Sequence, residues 1–338
     1  MFWLFEPQHM ATFGSGDALC AGSSKAAPPS ETLLSETSSL KALPLKNLPS
    51  ETLPSETSPL KGLQDVPIHQ YKGIRDLQQR VQAQSAELQA GHSKQQYLVF
   101  QGVTKQQLAK IDRERDSIGR HTRITHYTSI NLLIIKLTPS VQHELAHSAL
   151  ADLLTFRLSF MGFNEPPLNR VGAARFDGNQ SSKEGDSAYK PDSRNRKDDW
   201  PTIVFESGFS ETLTKLRNDA QWWLTNSLGD VRIVVIVLAR PEHKTLRVEK
   251  WCLAPPQPRR SPRLNPGAQV PTRVQEILVT QNPPAHPGGA STYTVTGAPL
   301  TLEFQEMFLR APAPPESDVT FTTADLSRWA TRYWNIMV

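Results

Sequence analysis

Apolar positions along this chain change period several times, and the changes mark the elements. Ile130-Asn131-Leu132-Leu133-Ile134-Ile135-Lys136-Leu137 is a β-branched run ended by Pro139, which predicts a strand. Ser140 then stands as an N-cap, and the apolar spacing from Val141 to about Phe160 predicts a helix that Gly162 closes. Val171 to Phe176 reads as a short strand, Asp177 to Asp199 as a polar loop, and Pro201 to Glu206 as a strand entering a turn at Gly208. Ser210 caps an expected helix to about Ser227. Val231 to Leu238 is nearly unbroken apolar sequence, the pattern of a central strand buried on both faces, with Leu246 to Trp251 beside it. Order resumes at Val274 to Thr280 and Leu300 to Leu309, and a last helix carries Leu326, Trp329, Ala330 and Trp334. The order of these elements predicts an α/β fold, a mixed sheet flanked by helices.

Upstream, Ile74, Leu77, Val81 and Leu88 predict an amphipathic helix from about Tyr71 to Gln89, which packs on its own domain or forms a weak homodimer seam. Residues 1–65 are rich in Ser, Thr, Pro and Gly and read as a disordered tail. They hold a duplication, in which Ser30 to Leu43 recurs as Ser50 to Leu63. Two copies with prolines cannot bury a continuous core, so the repeat reads as low complexity. The expected organisation is a tail at 1–65, a helical linker at 66–128, and an α/β domain at 129–338 with a proline-rich insertion at 254–289.

Composition narrows the function classes. Only 38% of residues are hydrophobic and 27 are proline, so one large core is expected. A net charge of +4 and a pI near 9.0 permit nucleic acid as a partner without requiring it. No run approaches the ~20 apolar residues that span a bilayer. The apolar opening Met1 to Phe5 lacks a basic flank and stops at Glu6, so neither a membrane partner nor a secretory signal is expected. Cys20 and Cys252 make no disulfide framework, which points to an intracellular setting, cytoplasm or nucleus.

Two constellations carry candidate chemistry. Asp186 and Glu206 stand twenty residues apart across a loop, and carboxylates at neighbouring strand ends can share a hard divalent cation such as Mg²⁺. His143-Glu144-Leu145-Ala146-His147 matches the H-E-x-x-H spacing of a zinc metalloprotease. Leu150 stands where the usual extension has glycine, and the remaining acid, Glu165, lies in a turn.

A block of motifs gives the acidic pair its weight. Lys183-Glu184-Gly185-Asp186-Ser187, Trp200 through Gly208, Ser210-Glu211-Thr212-Leu213 and Leu216 through Leu224 together resemble the PD-(D/E)xK nuclease superfamily. The similarity is to a group of uncharacterised fungal proteins and, more distantly, to bacterial restriction endonucleases of that fold. It spans about 200 residues. The resemblance implies a restriction-endonuclease-like fold, Mg²⁺ held by Asp186, Glu206 and the carbonyl of Ser207, and Glu144 as an accompanying acid on the first helix. It implies hydrolysis of nucleic-acid phosphodiester bonds. Gly185 replaces the family's proline, and Gly208 stands where its lysine belongs. That lysine orients the attacking water and stabilises developing charge. On a helical wheel begun at Leu213, Arg217 flanks the sheet-facing side and Lys215 points to solvent, which makes Arg217 the candidate replacement. The alternative is a relative that kept the fold, lost the lysine and binds nucleic acid or protein without catalysis. Zinc proteolysis ranks third.

Overall fold

The computed structural model describes residues 58–338, except 120–121, 139–140, 164, 173, 210–211, 256–268, 285, 287–288 and 337–338, and the side chains of 141–144. The expectation of a disordered tail therefore lies outside the described residues up to 57. In chain order the first elements are β1 (Ile68–Gln70), α1 (Ile74–Gln89), β2 (Tyr97–Gln101), α2 (Lys105–Arg113), α3 (Arg115–Ile118), β3 (Thr122–Tyr127), β4 (Leu132–Leu137) and α4 (Val141–Ser159). Next come β5 (Leu168–Arg170), β6 (Arg175–Asp177), β7 (Ser181–Glu184), β8 (Ser187–Pro191), β9 (Ile203–Gly208), α5 (Leu213–Asn226) and β10 (Ile233–Arg240). The chain closes with β11 (Thr245–Ala254), β12 (Val270–Asn282), β13 (Thr292–Thr296), β14 (Leu300–Leu302), α6 (Phe304–Phe308), β15 (Val319–Phe321) and α7 (Thr323–Ile336).

The strands build two mixed sheets and a small ribbon. The first sheet runs β1-β2-β4-β3-β7-β6 and the second β13-β12-β11-β10-β9-β8-β5. The stretch 66–128 is therefore not a linker. β2 and β3 both pair antiparallel with β4, because the apolar runs at Leu98–Phe100 and Ile124 need a sheet to bury them. One face of that sheet is covered by α1 to α3 through Leu77, Val81, Leu108, Ile111 and Ile118.

β10 is the buried central strand its sequence predicts. Val234, Ile236 and Leu238 pack under α5, while Ile233, Val235 and Val237 pack against α4, α6 and α7 on the other face. Period-two alternation on a strand buried from both sides explains the unbroken apolar run. The insertion after β11 is shorter than expected, since β12 begins at Val270 and pairs along β11. Among the described residues no helix is long and apolar enough to cross a membrane.

Candidate functional site

The expected polar loop after Asp177 holds two strands, β7 and β8, and nearly all of it is buried from Ser181 to Pro191. β7 pairs with β3 in the first sheet and β8 with β9 in the second. The chain crosses between sheets at Gly185-Asp186. A Cβ at Gly185 would sit 3.1 Å from the Trp223 ring and 3.3 Å from Val204, so any larger residue there would press on both side chains.

β9 then alternates its side chains between faces. Val204 and Glu206 look toward α5, and Phe205 and Ser207 look toward α4, where Ser207 Oγ lies 2.9 Å from His147 Nδ1. The Ser207 amide and hydroxyl both donate to Asp186 Oδ2, at 2.8 and 3.1 Å. Asp186 and Ser207 thus form one unit, and Glu206 is the adjacent residue. The structure brings the two motif acids into one buried cluster, each at most 2% exposed.

The cations come from elsewhere. Lys136 on β4 and Arg123 on β3 are cross-strand partners, and Lys183 on β7 follows on the same face. Lys136 Nζ donates to Asp186 Oδ2 at 2.9 Å and to the Ser207 carbonyl at 2.6 Å. Lys183 Nζ is 3.4 Å from Glu206 Oε1 and 2.9 Å from Asp219 Oδ1. Lys215 Nζ donates to the same Asp219 oxygen at 2.5 Å, and Trp223 Nε1 donates to Glu206 Oε1 at 2.6 Å. Arg123 Nε stands 3.9 Å from Asp186 and donates to the Gly185 carbonyl. Among the described residues three ammonium groups (Lys136, Lys183, Lys215) meet three carboxylates (Asp186, Glu206, Asp219) between the first sheet, the second sheet and α5, with the Arg123 guanidinium beside them.

Burial and pairing pull the protonation states apart. Burial pushes the Glu206 carboxyl above its ordinary range; Lys183 opposes this and Asp186 reinforces it. Burial works the same way on Asp219, but Lys183 and Lys215 overcome it and hold that acid below the usual range. Burial disfavours a charged Lys183, yet Asp219 and Glu206 more than compensate and raise its pKa.

The sequence expectations fare unevenly. Arg217 is not in this cluster. Its guanidinium grips Glu249 of β11, at 3.0 and 2.5 Å, on the far side of Ile236 in the same cross-strand row as Glu206. Lys215, expected in solvent, is buried, because α5 is covered on that side by residues 60–66 and by Tyr97 as well as by its own sheet. Thr212, not Ser210, caps α5 by accepting from the Lys215 amide at 3.2 Å. His147, expected on a helix surface, is fully buried against Ser207. The side chains of His143 and Glu144 lie outside the described residues, and so does any zinc site that needs them. Reasoning from sequence missed Lys136 altogether, and its one signal was a lysine inside an otherwise apolar strand.

A bound Mg²⁺ would need oxygens from Asp186, Glu206 and Ser207. Here Asp186 Oδ2 and the Ser207 carbonyl both hold the Lys136 ammonium, and Glu206 Oε1 holds the Trp223 indole N–H. Among the described residues the Lys136, Lys183 and Lys215 ammonium groups and the Arg123 guanidinium already face these three carboxylates, and that positive charge opposes a dication. The residues as arranged do not fit the ion. Among the described residues no group of three or more His, Cys, Asp or Glu side chains is placed to hold a metal.

No family model matches the chain, and no curated protein matches it. Among solved structures, one match is the crystal structure of a candidate nuclease of the DUF820 family from Anabaena variabilis. It is 12% identical, the match covers 62% of this chain and 90% of that one, and the TM-score is 0.32.

Proposed function

We propose that the chain is a metal-independent nucleic-acid-binding module on a nuclease-like scaffold, with the Lys136 ammonium standing where a divalent ion would stand. The observation that carries this reading is Lys136 Nζ bridging Asp186 and the Ser207 carbonyl. A lysine there supplies positive charge to Asp186 Oδ2 and the Ser207 carbonyl, the oxygens that metal-assisted hydrolysis would need as ligands. Burial supports the same reading, since a scissile phosphate must touch the metal and the acids here are closed off. Nucleic acid as partner rests on the basic balance of the sequence and the family resemblance.

The experiment measures binding and cleavage of a mixed panel of single- and double-stranded DNA and RNA, in EDTA and in Mg²⁺ at matched ionic strength. The reading expects salt-dependent binding with the same affinity in both buffers and no cleavage in either. A second reading keeps hydrolysis and is favoured by one contact, Lys183 at 3.4 Å from Glu206, which places a lysine beside the second motif acid from outside the motif. Mg²⁺-dependent cleavage abolished by both Glu206→Ala and Lys183→Met would establish that reading and end the first.

A further inference from the structure

The described chain opens on a run of turns, residues 58–66, that does not trail into solvent. Leu63 and Val66 are buried on the outer face of the first sheet, with Leu60, against Tyr97, Val99, Leu132 and Ile134. Between the two leucines, Gly62 lies on the first turn of α5. Its φ is +86°, and a Cβ there would be 2.6 Å from the Lys215 backbone nitrogen and 2.9 Å from its Cα. The Gly62 carbonyl accepts from the hydroxyl of Thr212, the residue that caps α5. A side chain at position 62 therefore meets two obstacles. The left-handed backbone disfavours it, and the opposing atoms are helix backbone that cannot swing aside.

This segment is the end of the second repeat copy. Ser58-Pro59-Leu60-Lys61-Gly62-Leu63 answers to Ser38-Ser39-Leu40-Lys41-Ala42-Leu43 in the first. Both leucines and the lysine are kept, and the glycine becomes alanine. We infer that the outer face of the first sheet and the first turn of α5 form a docking groove for a Leu-x-Gly-Leu segment. Leu60 to Leu63 fills it in cis, and glycine at position 62 is its specificity determinant, so a segment built like the first copy is refused. The groove seals one side of the charged cluster, because Lys215 beneath Gly62 holds Asp219 and lies over the Tyr97 ring. A cavity of about 240 Å³, lined by Gly62, Leu63, Val66, Tyr97 and Thr212, adjoins the segment.

The test uses the full chain carrying Gly62→Ala and a fluorescent peptide of residues 58–66. In the wild type the tethered segment holds the groove at high effective concentration, so the peptide does not bind. In the variant the tethered copy is weakened, and the glycine peptide binds at least tenfold more tightly than the same peptide with alanine at position 62. It also binds at least tenfold more tightly than the peptide of residues 38–46. Leu60→Ser loosens the strap without touching its backbone and gives the same ranking if Gly62→Ala fails to fold. Trypsin cleaves after Lys61, which is exposed, at least tenfold faster in either variant than in the wild type, with the remaining domain intact. Equal binding of the glycine and alanine peptides, no binding of the glycine peptide to a folded variant, or an unchanged cleavage rate would each overturn the inference.

Discussion

Replacing Lys136 by methionine removes one ammonium group while keeping a long unbranched side chain in the same channel. Among the described residues the wild-type ammonium makes charge-assisted hydrogen bonds to Asp186 at 2.9 Å and the Ser207 carbonyl at 2.6 Å, with the lysine 5% exposed. Breaking a buried ion pair from one side leaves the other charge uncompensated and costs about 3–5 kcal/mol. That is a large share of the roughly 5–15 kcal/mol by which whole domains are stable. Among the described residues the variant cluster would hold two ammonium groups and the more distant Arg123 guanidinium against three carboxylates, with Asp186 and the Ser207 carbonyl facing each other. A divalent ion then has both its charge and its donors. Mg²⁺ at a hundred times its dissociation constant would return about 2.7 kcal/mol. Urea unfolding in EDTA and in MgCl₂ at matched ionic strength reads both effects. Lys136→Met should lose about 3–5 kcal/mol in EDTA and recover most of it with Mg²⁺, whereas the wild type should not respond. A loss under about 1 kcal/mol, or equal Mg²⁺ stabilisation of wild type and variant, would refute the reasoning.

Asp219→Asn should destabilise the chain by about 3–5 kcal/mol at neutral pH, because two buried lysines share that carboxylate. Since Asp219 is held below its ordinary range, its contribution is present above the unfolded-state value near 4 and is lost as pH falls through the folded one. Acid titration of wild-type stability should therefore show a descending limb below pH ~4 that is shallower in Asp219→Asn, where Glu249 and Asp325, also held low, still contribute. Trp223→Phe keeps the packing and removes the donor to Glu206, so unfolding free energy should drop by about 1–3 kcal/mol. Arg217→Ala should cost only about 1 kcal/mol, because its side chain is 35% exposed and Glu249 keeps Arg273 and Trp251 as partners. Nucleic-acid affinity measured for Arg217→Ala should stay within a factor of two or so of wild type, and a tenfold loss would place Arg217 back in the functional site.

The elements legible in the sequence are those where a single burial source decides. β10 reads as a central strand from its unbroken apolar run, and α4 reads from its apolar period, because each packs against partners whose presence the pattern itself implies. The strands β7 and β8 were illegible for the opposite reason. Ser181-Ser182-Lys183-Glu184 is as polar as a loop, and it is buried because its charges meet partners that are distant in sequence. Glu184 meets Arg115 and Arg175, and Lys183 meets Asp219 and Glu206. Periodicity carries no information about that compensation. The same limit explains the wheel error on α5: its solvent edge runs along Thr214, Arg217 and Thr225, and the side carrying Lys215 is covered by the first sheet and residues 60–66. The two motif acids were legible by resemblance, but the cation was not, because Lys136 arrives from a strand fifty residues before Asp186.

Metal occupancy is the measurement closest to the central claim. Titrating the wild-type chain with Mn²⁺ and reading the free ion by electron paramagnetic resonance counts any carboxylate site directly, and Glu206→Ala reports whether the site is this one. With the Lys136 ammonium bridging Asp186 and Ser207, the wild type should bind no Mn²⁺ tightly, so its curve should overlay that of Glu206→Ala. One equivalent of Mn²⁺ bound at micromolar free ion by the wild type, and lost in Glu206→Ala, would contradict the account.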